Sequence, residues 1–210
     1  MSGIVAQNVG RPSGLVKAVE AGGGSWVKIK ALTASSSATL SFVDGTDDVV
    51  LDSTYPIYCF HYINLHPSTD GALLKFQGNV AGGSGYDETI TSTNWVTYLN
   101  EAADDGAVYY ATGQDQAQGT AFQDLTGASN TGSDNDQGVS GNLYLWGPSN
   151  TTFVTLFSGT SATSSSDNYT VRCHIGGYFN LTGAVDEIQF KFGSGNIDSG
   201  IIKLFGIKDS

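Results

Sequence analysis

The chain has 210 residues and carries 9 Lys and Arg against 20 Asp and Glu, a formal net charge of −11. That charge excludes a nucleic-acid binder working through a general basic surface, because phosphates demand cationic partners, and it argues against anionic membranes. Only 14% of the residues are charged, while 10 Tyr, 10 Phe and 3 Trp stand ready to fill a core; no apolar run approaches the roughly 20 residues of a membrane span.

Gly, Ser and Thr supply about a third of the chain, so hydroxyls and amides do most of the work of solvation. Abundant Thr, Tyr, Phe and Val with little Glu and Lys favours strands over long helices. Residues 1–25 read as an N-terminal arm, because Gly3, Gly10, Pro12, Gly14 and Gly22 to Gly24 interrupt every short apolar run. Met1 to Asn8 has neither a basic n-region nor an apolar h-region, so no secretory signal is expected there.

From Trp26 the pattern has period two. Val27, Ile29 and Ala31 share one face of a strand and Lys28 and Lys30 the other. Ala38, Leu40 and Phe42 point inward from the next strand; the turn at Asp44-Gly45 leads to a short strand at Val49 to Leu51. Ile57 to Leu65 is apolar on both faces, as a central strand should be, and Ala72 to Phe76 follows a turn at Ser68 to Gly71. Strands are also expected at Ile90 to Tyr98 and Ala107 to Ala111, although Asn94 to Asp104 leaves room for one short helix. Residues 112–142, rich in Gly, Gln, Asp, Asn and Ser, read as a long connection and a candidate interaction surface. The last third gives strands at Asn142 to Trp146, Thr151 to Phe157, Tyr169 to Ile175, Val185 to Phe192 and Gly200 to Ile207.

This spacing predicts an all-β fold: an antiparallel β-sandwich, jelly-roll-like, as a single domain over residues 26–210. With no helices to cover a sheet, two sheets must cover each other.

Candidate sites are sparse. The loops Asp44 to Asp48 and Ser133 to Gly138 concentrate oxygen ligands of the kind Ca²⁺ takes, and Asp134 and Asp136 are the metal-ligand candidates; ordinary turn chemistry explains the same residues. Tyr86, Trp95, Tyr109, Tyr110, Tyr144 and Trp146 are aromatics that could stack on a sugar, and Tyr86, Trp95, Tyr144 and Trp146 are the glycan- or partner-binding candidates, with core packing as the alternative. Cys173 and His174 are adjacent in a strand and must point to opposite faces, so they cannot pair as nucleophile and base. Cys59 and Cys173 read as buried hydrophobes that pair only if their strands are neighbours. No nucleophile elbow, zinc-protease helix or phosphate loop is present in the sequence, and no enzymatic role is expected.

Several stretches carry a resemblance: Ser2 to Val9 (SGIVAQNV), Ser13 to Ala18 (SGLVKA), Leu32 to Val43 (LTASSSATLSFV), Ile63 to Ala72 (INLHPSTDGA), Asp134 to Gly141 (DNDQGVSG), the run from Leu143 through Pro148 to Thr155, and Phe190 to Ile207 (FKFGSGNIDSGIIKLFGI). Together the chain resembles small virion structural proteins of tailed bacteriophages that infect marine bacteria. The resemblance implies a particle component and does not decide between capsid and tail; the first expectation is a non-enzymatic surface capsid decoration or accessory protein present in many copies, without cofactor. A tail or tail-fibre receptor-binding, lectin-like module is the alternative. Its implied partners are copies of itself, other virion proteins and a host surface glycan, its location the virion, assembled in the host cytoplasm. Its motifs are turns and strands, so no site residue is carried over.

Overall fold

The computed structural model describes residues 25–208, so the expected N-terminal arm lies outside the described residues except for Ser25. The described residues form thirteen strands in two sheets. The strands are β1 (Trp26–Thr33), β2 (Leu40–Val43), β3 (Ile57–Pro67), β4 (Leu74–Val80), β5 (Ile90–Asn100), β6 (Gly106–Tyr110) and β7 (Gln116–Gly119). They continue with β8 (Gln123–Asp124), β9 (Gly138–Trp146), β10 (Leu156–Ser164), β11 (Tyr169–Phe179), β12 (Val185–Phe192) and β13 (Ile197–Ile207).

Nine strands make one antiparallel sheet in the order β1-β13-β3-β9-β10-β11-β5-β6, with β7 also on β5; four make the other, β2-β12-β4-β8. The pairing is nested. The first strand pairs with the last (β1 with β13), then β2 with β12, β3 with β9 and β4 with β8. The first and last described strands thus run back along each other, and the resulting ribbon is folded into two layers. Strands β5 to β7 are inserted at its tip, β10 and β11 between β9 and β12; β5 and β11 pair and widen one sheet.

The two layers are locked by aromatic rings. Phe42, Phe190 and Phe76 from the smaller sheet meet Phe60, Phe157 and Phe179 from the larger, with centroids 5.1 Å apart for Phe42–Phe60, 5.4 Å for Phe60–Phe190 and 5.2 Å for Phe76–Phe157. Edge-to-face contacts of this kind add about 0.5–1.5 kcal/mol each beyond their burial. Tyr62, also fully buried, reaches across Gly141 to donate its hydroxyl hydrogen to the carbonyl of Thr160 at 2.9 Å. Gly141 is needed here because a Cβ would lie 2.6 Å from that hydroxyl oxygen.

Several local expectations are corrected. Asn94 to Asp104 holds no helix: residues through Asn100 continue β5. Val49 to Leu51 is irregular, though Val49 and Leu51 are buried. The strand expected at Thr151 starts at Leu156 instead, because the Asn150 side chain accepts the backbone N–H groups of Thr152 and Phe153 and holds a turn there. The connection over 112–142 is not an exposed surface throughout. It carries β7 and β8, and Gln123, Asp124, Leu125 and Thr126 are buried.

The segment joins the edge of the small sheet at β8 and continues from there over the part of the large sheet that the other three strands leave uncovered. Ser161 donates to the Leu125 carbonyl at 2.6 Å, Ser92 to the Gln123 side chain at 2.6 Å, and Gln123 to the Gln114 carbonyl at 2.8 Å. Gly127, at φ +65°, comes so close to Val96 that any side chain would collide with it.

Asp124 is the one carboxylate drawn into this lid. One oxygen accepts from the backbone of Thr126 and Gly127 and from the Thr126 hydroxyl; the other, Oδ2, is buried without a partner. Burial pushes its pKa above the usual 3.8, against the pull of the Thr126 hydrogen bonds. The folded state therefore holds the proton more tightly than the unfolded chain, and the stability this contributes is present below 3.8 and lost as pH rises through the raised folded value. Asp124→Asn keeps the Oδ1 acceptor and removes the charge. In urea denaturation it should be more stable than wild type at pH 7, with the advantage vanishing at pH 3.5. A variant less stable than wild type at pH 7 would contradict this account of the lid.

Candidate functional site

Residues directly opposite one another in a sheet share a face, so the register maps the outer surface of the nine-stranded sheet row by row. One row runs Trp26, Ile207, Ile57, Trp146, Leu156, Tyr178 across six consecutive strands. Neighbouring strands are about 4.8 Å apart, so the row is about 24 Å long. A second row beside it carries Phe205, Cys59 and Tyr144. A third runs Lys203, His61, Asn142, Thr160, His174, Trp95, Tyr110.

The rings on these rows touch. Trp26 packs on His61 (5.4 Å), Phe205 (5.7 Å) and Tyr144 (6.2 Å), and Tyr144 stacks near-parallel on Trp146 at 6.0 Å and 18°. Farther along, Trp95 lies flat on His174, 4.2 Å apart and 8° from parallel. Burial, with Lys203 beside His61 and Arg172 beside His174, holds both imidazoles below their usual value, which favours their neutral form.

Apolar exposure is concentrated on this face. Of the nine large hydrophobic residues that remain exposed among the described residues, seven point outward from it: Trp26, Trp95, Leu99, Val108, Tyr110, Trp146 and Leu156. Charge is segregated in the opposite sense. The nine strands contain Lys28, Lys30, Arg172 and Lys203 but a single carboxylate, Asp198, at the end far from Trp26. The other acidic residues among 25–208 lie in the connections or in the small sheet. Apolar patches larger than a few hundred Å² are uncommon on protein surfaces unless they serve contact with a partner, which makes this face the candidate site.

The residues singled out from sequence fall in three places. Trp95, Tyr144 and Trp146 share the outer face, with Trp95 three strands away from Tyr144. Tyr86 is elsewhere: it packs on Phe122, 6.4 Å away, beside the small sheet, and burial with the Glu187 hydrogen bond pushes its phenol up to about 12. Asp134 and Asp136 sit in the turn before β9, where the Gln137 backbone N–H donates to the Asp134 carbonyl at 2.9 Å. Among the described residues no group of three or more His, Cys, Asp or Glu gathers at one point. Sequence reasoning missed Ile57, Leu156, Tyr178 and Ile207. Each belongs to a different strand, so only register aligns them.

The cysteines are free and buried. Cys59 lies under the outer aromatic cluster on β3, while Cys173 lies on the inner face of β11, with β9 and β10 between them. They are on opposite faces and cannot pair. His174 points outward and Cys173 inward, so these neighbours do not meet either.

Comparison with protein families, curated proteins and solved structures finds no significant match.

Burial pushes both thiols up to about 12. The native protein should therefore resist a disulfide-exchange thiol reagent at pH 8 over a period in which the denatured protein titrates both cysteines. Fast reaction of either thiol in the native state would contradict the packing described for that face.

Proposed function

We propose that this chain is a non-enzymatic structural component of a tailed-bacteriophage virion, a surface capsid decoration or accessory protein that packs beside copies of itself through the outer face of its nine-stranded sheet. The observation that carries the reading is the apolar row from Trp26 to Tyr178, set in a face almost free of carboxylates on a chain of net charge −11. Two acidic copies repel wherever their loops meet, and this face lets them approach without burying unpaired carboxylates. The row spans about 24 Å, and with the rows beside it suits the roughly 800 Å² per partner of a standard interface.

Two further features support it. The nested order β1-β13-β3-β9 over β2-β12-β4-β8 suits a jelly roll with two insertions, an architecture used by capsid and lectin domains. The resemblance to marine-phage virion proteins supplies the particle.

A lectin-like, tail-associated role is the second reading, favoured by one observation: Tyr144 and Trp146 form a flat, near-parallel ring pair at the surface, of the kind on which a sugar stacks.

The two readings separate experimentally. Under the first, the purified protein self-associates in sedimentation equilibrium. Trp146→Asp and Leu156→Asp each weaken the association by about 30-fold, the effect of losing an interface anchor worth about 2 kcal/mol. Mass spectrometry of purified particles finds the chain in many copies. A monomer at all concentrations, absent from particles, sinks the proposal. A monomer that binds host polysaccharide and loses it on Trp146→Ala establishes the second reading instead.

A further inference from the structure

The opposite face of β5 carries a feature that the assembly reading leaves unused. Tyr98 on β5 stands between Tyr109 on β6 and Tyr169 on β11, at the end of the inner face that lies beyond the small sheet. The two flanking rings rise steeply from the plane of Tyr98: Tyr109 at 6.0 Å and 72°, Tyr169 at 5.6 Å and 70°. They line a cavity of about 240 Å³ closed on another side by Ala128, Ser129 and Asn130 of the lid. This is a three-sided box of π-systems.

Its electrostatics have one sign. Among the described residues, the only ionisable groups lining it besides the tyrosines are the carboxylates Asp105 and Asp167, and no Lys, Arg or His joins them. The phenols are already engaged. Tyr169 donates to one Asp105 oxygen at 2.9 Å and Tyr98 to the other at 3.4 Å, and Tyr109 donates to the Gly127 carbonyl at 3.4 Å. The Asp105 hydrogen bond pushes the Tyr169 phenol up, so the ring stays neutral and its face electron-rich.

These facts select a ligand class. An anion is repelled. A hard metal ion needs six to eight oxygen ligands and finds two carboxylates, one of them occupied by phenols. A neutral sugar needs free hydrogen-bond partners at the ring edges, and those hydroxyls are turned to Asp105 and Gly127. A weakly hydrated organic cation needs ring faces with negative charge at the rim, and the cup offers both. The volume is below the 300–1,000 Å³ of pockets that hold drug-sized molecules, which fits a head group. We propose that the Tyr98–Tyr109–Tyr169 cup, with Asp105 and Asp167 at its rim, binds an alkylated ammonium head group. The cup and the apolar row lie on opposite faces, and neither requires the other.

The test is calorimetric titration of the full chain with choline, matched for salt, against 3,3-dimethylbutan-1-ol, which has the same shape without the charge. Choline should bind saturably, and the alcohol about tenfold more weakly or worse. Tyr169→Leu and Asp105→Asn should each weaken choline about fivefold or more, while Phe153→Ala, at an exposed turn that lines neither the cup nor the apolar row, leaves it unchanged. Tyr109→Leu, at an exposed edge-strand position, repeats the ring test should Tyr169→Leu unfold. No saturable binding of choline, equal binding of the alcohol, or undiminished affinity in the folded ring variants would overturn the proposal. None of these results bears on self-association, so the two proposals fail separately.

Discussion

A β-strand places alternate side chains on opposite faces of its sheet, and this sheet, eight strands across, is twice as wide as the four-stranded one that covers it. Everything else in the molecule answers that mismatch. Four strands give the aromatic interlock of Phe42, Phe76 and Phe190 a place to bury, but they leave the inner surface of β5 and β11 bare. The lid at 123–131 fills that gap with side-chain amides and hydroxyls bonded to backbone, which is why a stretch so polar is so buried. The outer surface has no such cover. It keeps a row of rings and aliphatic groups in solvent, and it keeps carboxylates away.

The distribution of charge follows from the same constraint. Under the proposed assembly, a wide contact face cannot carry acids that would be buried unpaired; the acids lie in loops, where Asp also makes the turns. Net charge then keeps the loops of two molecules apart while leaving one face free to approach. The tyrosine cup belongs to the same geometry: it opens where the inner face of the widened sheet runs out from under both the small sheet and the lid.

Much of the fold was legible in the sequence, for reasons visible in particular residues. Ile188, Phe190 and Phe192 alternate cleanly because β12 is covered on one face, and Ile57 to Leu65 reads as apolar on both faces because β3 is central and has the aromatic cluster outside it. Leu156 to Ser164 was only half legible: its inward residues after Phe157 are Gly159, Ser161 and Thr163, small and polar yet buried. Trp95 and Leu99, four apart, satisfy a helical face and a strand face alike, and only pairing with β11 decides for the strand. The lid was read as surface because hydrogen bonds, not apolar side chains, hold it down. Of the outer face, Tyr144 and Trp146 were legible as alternating neighbours. Their alignment with Trp26, Ile57, Leu156 and Tyr178 is a property of register, which composition does not encode.

Hydroxyl-radical footprinting of the purified protein, at concentrations that span its association, reads the claimed contact face directly. The account predicts that Trp26, Trp146, Leu156 and Tyr178 lose reactivity together as copies assemble, while Tyr109 and Phe153 keep theirs. Assembly that leaves this row fully reactive, or protection that falls instead on the acid-rich small-sheet side around Tyr86 and Glu187, would contradict it.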